Sequence, residues 1–365
     1  MKRILAPLMA CLAAIALATA SAAALTVTTI DGETFEGAPT GVDDNAITFA
    51  LGEGKTRTVR LGDIDVMTTG ARPDPSFDTG WLTLAGGDRV PANLVKGGGE
   101  KGLRFETGPL GEVTLAFKYL RGYLPASRAG SPVELEAGLE TLRGEVGASD
   151  VVTFKTEAGE DTLSGVIEGY GGESLTITAD FGLQLDIDAA AIRRIAFSSD
   201  KFEYTPPKRA HVRVSTVDGS ALRGVLKSID AESVTLEHVT GLEPTIAMNR
   251  VVRIEVLGGN LVPIAQMKPA SVKEWTEDWG AHPFPHVVDA NVWHREMTMK
   301  GEAYSTGLGV RAESEITYKL GGRFKEFRAT IGHDDIVSKA PGEIRFKAIG
   351  DGETLYESPV FGAGS

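Results

Sequence analysis

Two histidines, His282 and His286, lie four residues apart in a segment that also carries tryptophans. On one helix this spacing would turn both imidazoles to the same side, which is an arrangement that can hold a metal ion. Pro283 and Pro285 stand between the two histidines and exclude a helix. No metal site is therefore predicted from this pair.

A second candidate for ligand chemistry is Gly307-Leu308-Gly309-Val310-Arg311-Ala312, which fits a relaxed dinucleotide-binding pattern. Such glycines cradle a phosphate only when they open a helix, whose first backbone amides face the anion. Here the alternating residues Ile316, Tyr318 and Leu320 follow, and this period of two predicts a strand. A nucleotide cofactor is therefore not predicted.

No motif in the sequence identifies catalytic residues. Asp and Glu number 50, so many pairs could reach the separation that glycoside hydrolysis requires, but no motif selects two of them. His333, Asp334 and Asp335 are adjacent and could hold a cation, although acidic loops at strand ends are usually only solvated. We therefore predict no enzyme and no cofactor, and leave a structural calcium ion open.

The charge balance bears on the class of partner. Acidic residues outnumber Lys and Arg by 50 to 37, and the formal net charge is −13 at pH 7. A protein that binds phosphate backbones needs a basic face that displaces counterions, so nucleic acid is not expected as a partner. The 44 glycines and the scarcity of long helical patterns predict an all-β fold with tight turns.

Residues 1–22 have the pattern of a secretory signal peptide, with Lys2 and Arg3 ahead of the apolar run Ile4–Leu17. The run is too short to be a stable transmembrane span. We expect a secreted or periplasmic protein of the cell envelope. The sole cysteine, Cys11, lies inside this run. A lipid anchor on Cys11 is not expected, because a lipid-bearing cysteine is followed by a polar tether and the residues after Cys11 are apolar. Apolar cores, not disulfides, must then stabilise the domains.

Four segments of about 45 residues repeat one pattern. Each opens with a short strand and a turn glycine, at Gly32, Gly87, Gly159 and Gly219. An apolar strand centre follows 15 or 16 residues later, at Ile47, Leu103, Leu175 and Val234. A last apolar position follows 17 residues after each centre, at Ile64, Leu120, Ile192 and Val251.

Each repeat resembles a small SH3-like or Sm-like barrel of five strands, whose inward side chains fill the lumen. The repeats span residues 23–70, 78–124, 150–200 and 209–258. We interpret them as scaffold, with binding or spacer modules as the alternative. Sm-like barrels often bind RNA, but the acidic balance of this chain argues against that activity here.

One helix is predicted, near 132–146 within a linker of residues 130–148. Ser131, Pro132 and Glu134 supply an N-cap, a first-turn proline and a capping-box glutamate. Four apolar residues then share one face: Leu135, Leu139, Leu142 and Val146. We interpret this helix as a strut that packs or spaces two pairs of barrels.

Residues 265–365 form a separate module, which begins after a change of pattern past Val256. Its sequence predicts a β-hairpin, with an alternating strand up to Leu320, a turn at Gly321-Gly322, and a second alternating run from Phe324 to Ile331.

A recognisable set of residues extends through this module: Tyr304, Gly307–Ala312, Ser314–Gly322, Phe324, Phe327, Ala329, Ile331-Gly332, Asp334-Asp335 and Ile349–Ser358. The set resembles the NPCBM family of carbohydrate-binding modules, which are galactose-binding-like β-sandwiches of the jelly-roll type. Two features depart from the family. Arg311 stands where many members carry His, and the family continues into further strands whereas this chain stops at Ser365, so we expect a sandwich that is incomplete at its C-terminus.

The resemblance implies a carbohydrate site. Sugars have apolar faces edged with hydroxyl groups, which aromatic rings and carboxylate or guanidinium groups recognise. The predicted ligand-binding residues are Trp293, Tyr304, Arg311, Asp334, Asp335 and Trp279, and the motif glycines are Gly307, Gly309, Gly321 and Gly322. The aromatic residues have the alternative of filling the core or covering the junction with the barrels.

Three functions therefore stay open. The first is non-catalytic binding of a glycan through the C-terminal module. The second is an envelope structural protein that binds another protein, and the third is an accessory part of a glycoside-processing enzyme.

Overall fold

The computed structural model describes residues 24–84, 86–99, 102–126, 138, 147–201, 205, 207–276, 280–281, 285–293, 295, 297–300, 302–304, 306–337 and 342–362. The predicted signal peptide lies outside these ranges. The predicted helix near 132–146 also lies outside them, except for Gly138, which is helical. Within the described ranges, no helix has the length and apolar character that crossing a membrane demands.

The prediction of an all-β fold is confirmed. Unit 1 consists of β1 (Leu25–Thr29), β2 (Thr34–Asp43), β3 (Ala46–Gly52), β4 (Lys55–Arg60) and β5 (Ile64–Thr68). Unit 2 consists of β6 (Trp81–Leu84), β7 (Arg89–Gly99), β8 (Gly102–Thr107), β9 (Gly111–Leu115) and β10 (Leu120–Leu124). Unit 3 consists of β11 (Asp150–Thr156), β12 (Gly159–Tyr170), β13 (Ser174–Ala179), β14 (Gln184–Asp188) and β15 (Ile192–Ala196). Unit 4 consists of β16 (His211–Thr216), β17 (Ala221–Ile229), β18 (Ser233–His238), β19 (Thr245–Ala247) and β20 (Val251–Leu257).

The four units share one connectivity. In each, the first four strands form an antiparallel meander, and the fifth strand returns to pair with the first. Units 3 and 4 repeat this arrangement strand for strand. A short 3-10 turn precedes each fifth strand, at Leu61–Asp63, Phe117–Tyr119, Ala189–Ala191 and Met248–Arg250. The resemblance of the repeats to SH3-like barrels implied five strands in each unit.

The regular spacing in the sequence reflects the inward positions of these strands. The four strand centres Ile47, Leu103, Leu175 and Val234 have no exposed surface. Complete burial of one such side chain contributes roughly 1.5–3 kcal/mol. The four turn glycines all have positive φ, from 82° to 136°, which side-chain-bearing residues rarely adopt.

The fifth strands join the units in two pairs. β5 pairs with β20, with Met67 opposite Ile254, and β10 pairs with β15, with Tyr123 opposite Ile195. Unit 1 therefore lies beside unit 4, and unit 2 beside unit 3. Single pairings of β7 with β12 and β17 complete one continuous sheet through all four units.

The junction of units 2 and 3 has a small core of its own, made of Trp81, Leu124 and Ala196. The helical residue Gly138 packs against it, because a Cβ atom there would lie 2.6 Å from Leu124 Cδ2. Only a glycine permits this close approach without displacing the leucine.

A buried polar pair joins units 2 and 4. Asp88 Oδ2 lies 2.9 Å from His238 Nε2, and both side chains are almost fully buried. The backbone N–H of Thr240 donates to His238 Nδ1 over 3.3 Å, so Nδ1 acts as acceptor and Nε2 carries the proton. His238 therefore donates to Asp88, and this bond links the two barrels.

The C-terminal module is built from short strands. They are β21 (Ser271–Thr276), β22 (Gly280–Ala281), β23 (Val287–Val288), β24 (Met297–Met299), β25 (Glu302–Tyr304), β26 (Leu308–Gly309), β27 (Ser314–Thr317), β28 (Glu343–Ile344), β29 (Lys347–Gly350), β30 (Glu353–Glu357) and β31 (Phe361–Gly362). β21 pairs with β22 and β27, and the others pair as β23 with β26, β24 with β25, β28 with β31 and β29 with β30.

The hairpin predicted around Gly321-Gly322 is only half formed. Both glycines have the positive φ of a turn, 63° and 65°, and β27 precedes them. Residues 323–334 form no strand, so the prediction of a second strand was wrong. β27 pairs instead with β21, and Phe327 in the following segment is 55% exposed. An alternating pattern becomes a strand only where a partner strand accepts its backbone hydrogen bonds.

Candidate functional site

Trp293 is presented by a loop that a buried amide holds in shape. Asn291 is 4% exposed, and its Oδ1 accepts hydrogen bonds from the backbone N–H groups of Trp293 and Arg295, each over 3.0 Å. An Asn side chain that bonds to the following backbone is a common device of tight turns. Trp293 is 40% exposed, so this large apolar residue is presented to solvent on a loop whose backbone is held by hydrogen bonds.

β26 fixes the other side of this loop. Asp289 Oδ1 accepts a hydrogen bond from the Gly307 N–H over 3.1 Å, and the Asp289 N–H donates to Gly307 O over 2.9 Å. A Cβ atom on Gly309 would lie 2.6 Å from Asn291 Cα. The family-motif glycines thus have a packing role, because they let β26 approach the backbone of the Trp293 loop closely.

Tyr304 lies on the neighbouring hairpin of β24 and β25. It is half-buried and stands opposite Met297 in the ladder. A Cβ atom on Gly307 would lie 2.9 Å from Met297 Cε, so Met297 packs against the motif glycine. Through these contacts the Tyr304 hairpin and the Trp293 loop belong to one contiguous group of residues.

The carboxylates of Asp334 and Asp335 each accept a hydrogen bond from a backbone amide in or next to β24 of the same hairpin. Asp334 accepts hydrogen bonds from Thr298 N–H over 3.1 Å and Ile336 N–H over 3.0 Å. Asp335 accepts one from Lys300 N–H over 2.9 Å. Both acids therefore position β24, which is a role that the sequence did not suggest.

The remaining predicted ligand residues lie elsewhere. Arg311 is exposed on the connection between β26 and β27. Trp279 lies outside the described residues. Trp275, on β21, is 39% exposed and exchanges backbone hydrogen bonds with Glu313 over 3.1 and 3.2 Å.

The electrostatics of the loop depend on unit 4. Burial raises the pKa of Asp289, while the bond from Gly307 and the positive charges of Arg223 and Arg213 favour its ionised form. Arg213 and Arg223 are opposite each other on β16 and β17. Positive charges on unit 4 therefore act on Asp289, at the base of the Trp293 loop.

His286 has a structural partner. Its Nδ1 lies 2.9 Å from Glu274 Oε1, and the same oxygen accepts the His286 backbone N–H. This pair ties the segment before β23 to β21. Among the described residues, no three His, Cys, Asp or Glu side chains come together in a way that could hold a metal ion.

Sequence reasoning missed Asp289 and Asn291, the two residues that shape the loop. The available signal was weak: two Asx residues stand just before Trp293, and such residues commonly cap exposed backbone amides. Nothing in their spacing showed that Asn291 would be buried or that Asp289 would pair with Gly307, since both facts depend on how β26 packs.

Comparisons with known proteins concern the C-terminal module. Residues 264–365 match the family model described as NPCBM/NEW2 domain. A protein of Renibacterium salmoninarum named "Putative endo-alpha-N-acetylgalactosaminidase" is 41% identical over 69 residues. The matched region covers 19% of this chain and 4% of that relative, so the chain spans only a small part of the relative's length. The C-terminal module of this protein is an NPCBM/NEW2 domain.

Proposed function

We propose that this protein binds carbohydrate without catalysis, through the Trp293 loop of its C-terminal module. The observation that carries the proposal is the 40% exposed indole of Trp293, held on a loop that buried Asn291 fixes, within an NPCBM/NEW2 domain. A rigid aromatic ring stacks on the apolar face of a sugar with little loss of conformational entropy.

The polar part of the site would come from the hairpin that packs beside this loop. Asp334 accepts two backbone hydrogen bonds, whereas a carboxylate has room for about four. It therefore retains capacity for a sugar hydroxyl. Tyr304 contributes a phenol, which both donates and accepts. A ring platform with a few polar groups at its edge suits neutral sugars, and the net charge of −13 disfavours strongly acidic glycans.

The glycan class to test first contains α-linked N-acetylgalactosamine, because the R. salmoninarum relative carries that sugar in its name. The same relative favours a second candidate, in which this protein is an accessory binding component for an enzyme that processes glycosides. Both functions would be performed outside the cytoplasm, where the signal-peptide pattern of residues 1–22 would direct the chain.

The test is a glycan array probed with the full chain, followed by titration of the best ligand against two variants. Trp293→Ala removes the proposed platform. Trp275→Ala removes a tryptophan of nearly equal exposure, 39%, which lies on β21 and not on the Trp293 loop, and serves as the matched control. We expect Trp293→Ala to weaken binding by tenfold or more, about 1.4 kcal/mol, and Trp275→Ala to leave it unchanged.

An array without any retained glycan would overturn the proposal, and so would equal losses in the two variants. A protein-binding function is distinguished by pull-down from an envelope extract in the presence of free sugar. Competition by the sugar supports glycan binding, whereas a retained partner that ignores sugar supports the protein-interaction function.

A further inference from the structure

The four barrels share a β-bulge in the same place, and unit 2 departs from the others. In units 1, 3 and 4 one extra residue stands between two ladder pairs, namely Thr40, Glu168 and Lys227. In unit 2 two extra residues, Lys96 and Gly97, stand there. A bulge leaves its extra residues out of the strand ladder and often lies beside a functional site.

A run of three glycines begins within the unit 2 bulge. Gly97, Gly98 and Gly99 have φ of 124°, 97° and 102°, which side-chain-bearing residues adopt only with strain. A Cβ atom on Gly98 would lie 3.1 Å from Leu103 Cα, so any side chain at this position would crowd the backbone of β8. Glycines within a strand commonly mark a place where a ligand or another backbone approaches closely.

The bulges of units 2 and 3 meet across an open cleft. Gly97 pairs with Tyr170 of β12 and joins the two barrels at this point. The cleft has a volume of about 340 Å³ and is lined by Lys96, Gly97–Gly99, Glu168–Gly171 and Thr176. Its size lies at the lower end of the range of small-molecule sites, about 300–1,000 Å³.

The lining combines an aromatic ring with charges of both signs. The Tyr170 hydroxyl donates to Gly172 O over 2.7 Å, which fixes the ring. Glu168 Oε1 accepts a hydrogen bond from Thr178 over 2.9 Å, and its second oxygen remains available. Lys96 is exposed and has no ion-pair partner among the described residues. The equivalent lysine of unit 4, Lys227, pairs with Glu243 over 3.3 Å.

We propose that this cleft between units 2 and 3 binds one neutral or N-acetylated sugar residue, as a second contact for the glycan that the C-terminal module binds. The inference rests on the proposed function. The Tyr170 ring contacts the apolar face of the sugar, and Glu168, Lys96 and the bulged backbone bond to its hydroxyl groups. The opposite charges of Lys96 and Glu168 give no net attraction for an ionic sugar. Two linked contacts raise the affinity for a polymer well above that for a single sugar.

The test uses the full chain labelled with 15N only at glycine, because glycines occur in both sites. Soluble sugar from the array, or N-acetylgalactosamine and galactose if the array retains none, is added at millimolar concentration. We expect the amide signals of Gly97–Gly99 and of Gly307 and Gly309 to shift, in separate titrations. Glu168→Gln and Lys96→Ala should each weaken the cleft titration several-fold. Lys227→Ala, which removes the matched lysine of unit 4, should leave it unchanged.

The outcomes separate the two proposals. Shifts at Gly307 and Gly309 alone overturn the cleft proposal and leave the module's function intact. Shifts at Gly97–Gly99 alone, lost in Glu168→Gln, support the cleft and overturn the module's function. Unchanged signals at all five glycines overturn both, and equal effects of Lys96→Ala and Lys227→Ala overturn the assignment of Lys96.

Discussion

Leu103 of unit 2 and Leu355 of the C-terminal module are both strand leucines, yet their exposed fractions are 0% and 71%. In each barrel, inward-facing side chains at equivalent positions fill the lumen. The module is composed of short, mostly two-stranded sheets, and Ile349, Tyr356 and Phe327 are also exposed by half or more. Apolar burial therefore stabilises the barrels, whereas polar contacts to the backbone hold the described part of the module in shape.

The largest expected effect tests this contrast directly. Leu103→Ala should lower the free energy of unfolding by about 2–5 kcal/mol, because it leaves a cavity in the unit 2 core. Leu355→Ala should change it by less than about 0.5 kcal/mol, because the side chain is already in water. Urea unfolding monitored by tryptophan fluorescence measures both. Similar losses in the two variants would contradict the contrast.

Loss of the Asp88–His238 hydrogen bond between units 2 and 4 should have the next largest effect on stability. Asp88→Ala leaves the Nε2–H of buried His238 without an acceptor, which costs roughly 1–3 kcal/mol. Glu53→Ala, which removes an 85% exposed carboxylate on unit 1, is the control and should have little effect. Differential scanning calorimetry provides the comparison. An Asp88→Ala variant as stable as the wild type would show that the bond does not hold the barrels together.

Within the module, close packing at β26 gives an effect that is confined to the module. Gly309→Ala forces a Cβ atom against the Asn291 backbone and should destabilise the module by about 1–3 kcal/mol. Gly342→Ala adds the same atom where nothing lies within 4 Å, so it should be close to neutral. Hydrogen exchange of module amides distinguishes the variants, and faster exchange in both would rule out this packing role.

The smallest effects concern pH and two carboxyl groups with opposite shifts. In unit 4, burial raises the pKa of Asp218, but hydrogen bonds from Thr216 and Ser220 and the charge of Arg250 hold it below 3.8. Its stabilisation is present above 3.8 and lost as pH falls through the folded-state pKa. Asp218→Asn should therefore be less stable than the wild type at neutral pH, and this deficit should vanish in acid.

Asp289 in the module should show the reverse. Its pKa is raised above 3.8, chiefly by burial, so the folded state binds its proton more tightly and ionisation costs stability as pH rises. Asp289→Asn keeps an acceptor for the Gly307 N–H and should be more stable than the wild type at neutral pH. That gain should disappear below pH 3.8. Unfolding curves across acid and neutral pH measure both variants, and shifts of the same sign would refute the assignment.

Much of the barrel architecture could be predicted from the sequence, because the information is local and repeated. A buried strand centre 15 or 16 residues after a positive-φ glycine requires only alternation and turn chemistry, which are properties of neighbouring residues. The same reasoning failed at residues 323–334. Alternation there continued past Gly321-Gly322, but β27 pairs with β21 and the second run has no strand partner among the described residues.

The candidate site was only partly predictable for the same reason. Trp293 and Tyr304 are conspicuous residue types, and the family motif directed attention to their surroundings. The functions of Asp334 and Asp335 as acceptors for the β24 hairpin depend on contacts across about 35 residues of chain. No local pattern encodes such distant partners.

By itself, the sequence determined the all-β class, the four equivalent strand patterns and the family of the C-terminal module, since alternation, turn glycines and a dense motif are local features. Only the tertiary structure decided that unit 1 lies beside unit 4, that Asp88 meets His238, and that the bulges of units 2 and 3 meet at an open cleft. These contacts join residues far apart in the chain, and their energies depend on burial and geometry that no single segment contains.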